Sequence, residues 1–342
     1  MDLIGESIRG VVEGSSSHLV LVGSYGNGKT KTLLVVKQGL ESQLGSSVVV
    51  PYVPNPGETF LDLYRNMMQD IGEKRLRELV WNILERKAHK NNLKVKIEKG
   101  EVLLTEVLQK CRMELYEEFG HADFVNALIQ LTLEERRFDA WRYLCGEPTI
   151  SENRRVLDVV APINNDERAL RAMMSMIKLF SQTGVKVFCI LIDELEAIQL
   201  LFPWKKQRLL NNIRRLIDLN PRGLCLIMSC APDAWSGIIK EYHAFSERIF
   251  REVVLKPLDQ SGTGKLVSSY LGLKRIDSNR RIPTLYPFTN DAIEEISQSS
   301  QGNVRRTLMI CNRAVDIGSK NGHPEISRAF LKKHLPEILS PA

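Results

Sequence analysis

Eight consecutive residues, Gly23-Ser24-Tyr25-Gly26-Asn27-Gly28-Lys29-Thr30, follow the pattern GxxxxGK[ST], a spacing suited to holding phosphates. Glycines let backbone N–H groups turn inward around an anion, and a helix starting behind them presents its positive dipole end. In that geometry Lys29 reaches the β and γ phosphates of a nucleoside triphosphate. The Thr30 hydroxyl coordinates the Mg2+ that bridges them. Lys31 follows as a further nucleotide-binding candidate. The apolar run at 18–22 ends just before the loop and a helix-compatible run begins at Thr30. That setting separates a phosphate loop from an ordinary glycine-rich turn.

A second constellation lies at 187–194. Six apolar residues, Val187 to Ile192, deliver Asp193 and Glu194 to the expected C-terminal edge of a sheet, where open α/β sheets bind ligands. Asp193 is placed to hold the magnesium ion through its water shell. Glu194, one residue on, is placed to orient or deprotonate an attacking water, and a second acid here favours hydrolysis over transfer. The competing reading is that both acids cap a following helix; the phosphate loop in the same chain favours the chemical one. Glu196 is expected to point elsewhere.

Three weaker candidates complete the set. Ser229 closes the apolar run 224–228, where its hydroxyl would meet the γ phosphate or the water if the sheet order brings it beside the first and third strands. A plain strand-end serine fits nearly as well. Arg248 lies in Tyr242-His243-Ala244-Phe245-Ser246-Glu247-Arg248-Ile249-Phe250. There it could stabilise charge on a neighbouring subunit's nucleotide, or pair with a local acid. Arg305, in Gly302-Asn303-Val304-Arg305-Arg306, stands at a helix start, able to fold back over the γ phosphate or to stay solvated.

These residues need a scaffold. Short β-branched and aliphatic runs at 18–22, 47–53, 186–192, 224–229 and 251–255 predict five strands buried on both faces. Between them helix spacing recurs, as in Leu170, Met173, Met174, Ile177 and Phe180, or Leu209, Leu210, Ile213, Leu216 and Ile217. Strands alternating with helices predict an α/β fold with a parallel sheet covered on two sides. The gap between the second and third strands exceeds one crossover, and 58–145 reads as a helical insertion whose Leu, Met and aromatic stripes are packing faces. After Pro257 only helical patterns remain. Asn290 is the expected N-cap before Ile293 and Ile296, and Gly302 separates that helix from one carrying Val304, Leu308 and Val315. The expected organisation is a nucleotide-binding core at 1–257 and a helical lid at 258–342.

Composition excludes several classes. With 342 residues, 43% hydrophobic and 26% charged, the chain is a folded one of about two domains. No apolar run approaches the roughly 20 residues of a membrane span. Residues 1–17, with Asp2, Glu6 and Glu13, do not resemble a secretory signal; a cytoplasmic protein without membrane partners is expected. Six cysteines and six histidines lack CxxC, HExxH or finger-like spacing. The thiols are expected to be reduced core residues, and a protein-built transition-metal site is not expected. The net charge of +6 is uneven: Arg86, Lys87, Lys90, Lys94, Lys96 and Lys99 against Glu98 give 86–99 a net +5. That segment is a candidate contact for a DNA backbone, or a solvated loop.

Together, a Walker A loop at 23–30, a Walker B strand at 187–194, Ser229 in a sensor 1 position, an arginine-finger region near Arg248 and Gly302-Asn303-Val304-Arg305 as sensor 2 resemble an AAA+ P-loop ATPase over nearly the whole chain. The resemblance implies strand order 5-1-4-3-2, a C-terminal α-helical lid, ATP and Mg2+ as cofactors, and ATP hydrolysis in a homo-oligomer. The lid phrase PFTNDAIEEISQSSQGNVRRTLMICNRAV is similar to that of origin-recognition and replication-initiator ATPases and of transposition regulators. Such initiators usually continue into a winged-helix domain; this sequence runs to Ala342, soon after the lid, and autonomous origin recognition is not expected. Trp141 with Gly146-Glu147, the stretch Arg208-Leu209-Leu210-Asn211-Asn212-Ile213-Arg214, and Tyr242-His243-Ala244-Phe245 resemble ATP-binding proteins of the BREX phage-defence type. That likeness implies work in a multi-protein DNA-handling system. The expected function is ATP hydrolysis coupled to assembly or to grip on DNA, alongside partner proteins. The alternative is a slow nucleotide-dependent switch that binds a protein partner and no nucleic acid.

Overall fold

The computed structural model describes residues 2–89, 92–219, 221–249, 251–274 and 284–340; Lys90 and Phe250 lie outside the described residues. Six strands, β1 (Ser17–Val22), β2 (Val48–Val49), β3 (Tyr52–Val53), β4 (Val187–Ile192), β5 (Leu224–Cys230) and β6 (Arg251–Val254), form one sheet. Its order is β2-β4-β5-β1-β6, with β3 also paired to β4. The pairs β1–β5, β5–β4, β4–β2 and β4–β3 are parallel, and β1 meets β5 in register from Ser17 opposite Cys225 to Val22 opposite Cys230.

The expected second strand is two pieces. Pro51 has no N–H to give to a ladder, so β2 stops at Val49 and β3 resumes at Tyr52, both against β4. The order expected from the resemblance is modified accordingly: its second strand is split, and the sheet has six strands. The last strand also departs from expectation. β6 lies at the opposite edge, where its side chains alternate between half-buried and exposed instead of being buried on both faces.

Period-two alternation explains the layers. Leu19 and Leu21 of β1 join Cys189, Leu191, Cys225 and Ile227 in a cluster covered by α1 (Asp2–Val12) and α2 (Lys29–Leu44). The intervening Val20 and Val22, with Phe188, Ile190, Ile192, Leu226 and Met228, face a larger cluster built with the insertion helices. All six cysteines are buried free thiols.

The insertion comprises α3 (Phe60–Ile71), α4 (Glu73–Lys87), α5 (Leu93–Glu98), α6 (Leu104–Phe119), α7 (Ala122–Gln130) and α8 (Arg137–Leu144). Helical structure runs on past 145 through α9 (Ser151–Val156) to α10 (Asp166–Gln182), which leads into β4. A capping box starts α3: Thr59 accepts from the Asp62 N–H while Asp62 accepts from the Thr59 N–H. Buried Asp166, in the first turn of α10, accepts from the Leu61 N–H and from Asn212 Nδ2, both at 3.2 Å, and pairs with Arg208 at 2.7 Å. One carboxylate therefore ties together α3, α10 and α11 (Pro203–Asp218). Arg208 and Asn212, singled out above for a family likeness, are structural anchors. Gly146 is another, its carbonyl accepting both Arg65 Nε and Nη2 at 3.0 and 2.7 Å. After β5 come α12 (Pro232–Glu241) and the short α13 (His243–Ser246), which buries Phe245.

The remaining helices, α14 (Gln260–Lys274), α15 (Asn290–Ser300), α16 (Val304–Lys320) and α17 (Arg328–Leu339), enclose a separate core that includes Val267, Phe288, Ile296, Ile310 and Leu331. The N-cap of α15 is Thr289 rather than Asn290, which is the first helical residue; the Thr289 hydroxyl donates to the Ile326 carbonyl at 3.1 Å. Gln301 and Gly302, with φ of 54° and 68°, divide α15 from α16. A Cβ on Gly302 would stand 2.1 Å from the Leu258 carbonyl oxygen, so only glycine fits that approach.

The chain divides into two compact units, Met1–Val22 with Thr30–Val253, and Gly23–Lys29 with Val254–Ala342. Among the described residues no helix is long and apolar enough to cross a membrane.

Candidate functional site

The phosphate loop leaves the end of β1 and runs into α2, whose first turn holds no acid. Gly26 and Gly28 have φ of 82° and 89°, the left-handed region that glycine reaches without steric cost. The Asn27 N–H closes a turn on the Ser24 carbonyl at 3.2 Å. Lys29 is buried, donates to the Gly23 carbonyl at 2.8 Å and lies 5.0 Å above the Tyr25 ring. Ser24, Tyr25, Thr30 and Lys31 are exposed. Lid residues of the same compact unit contact the loop: Asn303 Nδ2 donates to the Tyr25 carbonyl at 2.6 Å, and the Arg305 N–H donates to the Gly26 carbonyl at 3.1 Å. The Arg305 side chain is exposed.

The acid pair belongs to the other unit. β4, β5 and β1 are parallel neighbours, so Ile192, Cys230 and Val22 end at one edge of the sheet, the ligand-binding edge of such folds. Asp193 is buried, and three donors converge on its carboxylate. The Ser229 hydroxyl and the Glu194 N–H (3.0 Å) reach Oδ1, while the Tyr52 hydroxyl reaches Oδ2 at 2.9 Å. Ser229 also accepts from the Glu194 N–H at 3.2 Å. Burial, then the hydrogen bond to Asp193 and the charges of Asp193, Glu194 and Asp70, push the Tyr52 phenol well above the usual tyrosine range. It stays protonated and donates. Asp193 is thus a fixed acceptor whose remaining lone pairs suit water on a metal ion.

Glu194 is exposed, with φ 52° and ψ 43°, a left-handed backbone that costs a non-glycine residue about 1 kcal/mol. It precedes the 3-10 turn Leu195–Leu200 and makes no side-chain cap bond, so capping does not account for it. Glu196 turns away, as expected, and accepts from the Ala231 N–H at 3.1 Å, at the start of α12.

Ser229 lies beside the third predicted strand, but its hydroxyl is engaged by Asp193. Arg248 pairs with Asp218 at 2.8 Å and with Glu247 at 3.7 Å, the local ion pair that was its competing reading. Of the basic segment, Arg86 donates to the Gln182 carbonyl and Lys87 pairs with Glu114 and Glu118; Lys94 and Lys99 are exposed on or beside the short α5. Sequence reasoning missed Tyr52. A hydroxyl-bearing aromatic next to the proline break was visible, but not the register that sets Tyr52 opposite Leu191. It also missed Asn303 as a contact of the loop.

The fold is shared with known structures. The Aeropyrum pernix ORC2 protein in ADPNP–ADP complexes matches at a TM-score of 0.55 and 11% identity, over 100% of this chain and 67% of that one. Its ADP form matches at 0.55 and 11%, over 98% and 67%. At that identity the likeness concerns the fold alone. No curated protein matches in sequence. The family model described as BREX system ATP-binding protein BrxC/D matches residues 1–285. On that match the chain belongs to the BrxC/D family of BREX system ATP-binding proteins.

Proposed function

We propose that the protein hydrolyses ATP with Mg2+, and that its nucleotide state alters its assembly as a homo-oligomer or its grip on DNA within the multi-protein BREX system. The observation that carries this reading is the loop itself: two left-handed glycines, a buried lysine and a helix start in sequence, the arrangement that receives a chain of phosphates. Lys29 exchanges the Gly23 carbonyl for phosphate oxygens. Mg2+ offsets phosphate charge when bound, and it keeps most of its water, needing only one or two protein oxygens. The exposed Thr30 hydroxyl and, through water, the Asp193 carboxylate would meet that need. Glu194 orients and deprotonates the attacking water, its side chain free of any capping duty. Ser229 keeps Asp193 and the Glu194 backbone in mutual register. Arg305 folds over the γ phosphate, and Arg248 acts on a neighbouring copy's nucleotide after leaving Asp218. Lys94, Lys96 and Lys99 supply a salt-sensitive contact to DNA.

A second reading, the slow switch that binds a protein partner without nucleic acid, is favoured by one observation. Ser229 and Arg248, two groups that would drive turnover, are both engaged internally. The deciding measurement is ATP turnover with and without DNA at stated salt, alongside the mass of the ATP-bound assembly. In Glu194→Gln, turnover should collapse by about 100-fold or more while ATP binding survives. A wild type no faster than Glu194→Gln would sink the hydrolytic reading in favour of the switch.

A further inference from the structure

The lid residues 303–306 hold the phosphate loop by its carbonyls. Asn303 Nδ2 donates to the Tyr25 carbonyl at 2.6 Å and to Asn27 Oδ1 at 3.2 Å, and the Arg305 N–H donates to the Gly26 carbonyl at 3.1 Å. A trans peptide is planar, with its carbonyl and N–H pointing to opposite sides. Fixing the Tyr25 carbonyl toward Asn303 therefore turns the Gly26 N–H away from the lid. Fixing the Gly26 carbonyl toward Arg305 turns the Asn27 N–H back, where it closes the Ser24 turn at 3.2 Å. Gly26 itself is confined: its φ is 82°, and an added Cβ would stand 2.5 Å from Asn303 Oδ1 and 3.1 Å from Arg305 Cβ. The Asn303 oxygen has a separate duty, accepting from the Arg306 N–H at 3.0 Å as the N-cap of α16. One amide thus starts a helix with its acceptor and orients the loop with its two donors.

We propose that Asn303 is a positioning residue for the nucleotide, its amide pre-setting the peptide planes at Tyr25 and Gly26 so that the Gly26 N–H faces the phosphates. The inference rests on the loop being the ATP cradle. It makes loop geometry depend on the lid, because two of the three donors come from one lid side chain and the third from the adjacent lid backbone. A preorganised donor adds more to anion binding than one that must be ordered at the moment of binding.

The test separates the two duties of the side chain. Asp and Ser cap helices about as well as Asn, so Asn303→Asp and Asn303→Ser keep α16 started. Asp offers no donor and sets a carboxylate against the Tyr25 carbonyl, and Ser carries no amide to span the gap. With the full chain, equilibrium binding of a fluorescent ATP analogue and of ADP is measured beside thermal unfolding without nucleotide. Asn303→Asp should bind both nucleotides about 10- to 100-fold more weakly, with the nucleotide-free Tm within about 3 °C of wild type. Wild-type affinity in both variants would overturn the inference, and so would affinity lost only in step with Tm. Lys29→Ala distinguishes the underlying reading. If it binds ATP as wild type does, the cradle assignment fails and the inference with it. If it loses ATP while Asn303→Asp does not, the positioning role alone fails.

Discussion

In the phosphate loop the groups that fix geometry are mostly backbone: glycine dihedrals, a turn on Ser24, and carbonyls held by Asn303 and by the Arg305 N–H. At Asp193 they are mostly side chains, a phenol from β3 and a hydroxyl from β5 converging on one carboxylate. Backbone control demands particular residue types at particular spacings, because few residues tolerate left-handed dihedrals or a Cβ-free approach. Side-chain control demands only that strands align, and many residue types could supply a donor. The difference teaches that the geometry of the loop is written locally in the chain, while that of the Asp193 cluster depends on how distant strands are brought into register.

The sharpest way to break this comparison is at Lys29, the side chain of the loop proposed to reach the phosphates. Lys29→Ala should weaken ATP binding by about 1,000-fold, and micromolar affinity retained in an equilibrium titration would contradict the assignment of the loop to phosphate binding.

Acid should tell the two units apart next. His18 of β1 is fully buried, neither ring nitrogen has a partner, and burial lowers its pKa to about 4 from 6.5. The unfolded imidazole takes up a proton below pH 6.5 while the folded one stays neutral to about 4. Stability is therefore complete above 6.5 and declines as pH falls through that window, by about 3 kcal/mol. The second unit has no comparable group among its described residues; its lowered carboxyl, Asp291, titrates below that window. Segment-resolved hydrogen exchange at pH 4.5 and 7 should show acid loosening of Thr30–Val253 before Val254–Ala342, and His18→Leu should flatten the slope. Equal loosening in both units, or a slope unchanged in His18→Leu, would refute the assignment.

The smallest effect sharpens the comparison most. Tyr52→Phe deletes one donor to Asp193 and leaves the loop untouched, so kcat should fall about 10-fold with ATP affinity unchanged and the Mg2+ dependence shifted. A mutant that lost affinity instead would show that Tyr52 does more than hold Asp193.

How much of this could be read from the chain follows the same division. The GxxxxGK[ST] loop, the acid-terminated strand and the GNVR phrase were all legible because each is a local pattern. Tyr52 was not, since it meets Asp193 across 141 residues of sequence that include the helical insertion. The Asn303 contact spans 278 residues and depends on where a lid helix begins. Strands were found from their aliphatic runs, but Pro51 broke one of them, and β6 was misjudged as buried because Val253 and Val254 do not announce an edge position. Arg208 and Asn212 were noticed only as a likeness; their physical reason is buried Asp166, 46 residues before Asn212.

The break at Pro51 has a further effect. An unpaired strand border is a template on which another chain can crystallise a ladder, and proteins blunt such borders with very short strands or proline. Here β2 and β3 offer two residues each, with a proline between them, so a stray chain finds no continuous row of hydrogen-bonding groups to copy. That border is thereby protected from fibril-like stacking, and contacts between molecules are left to surfaces with side-chain identity.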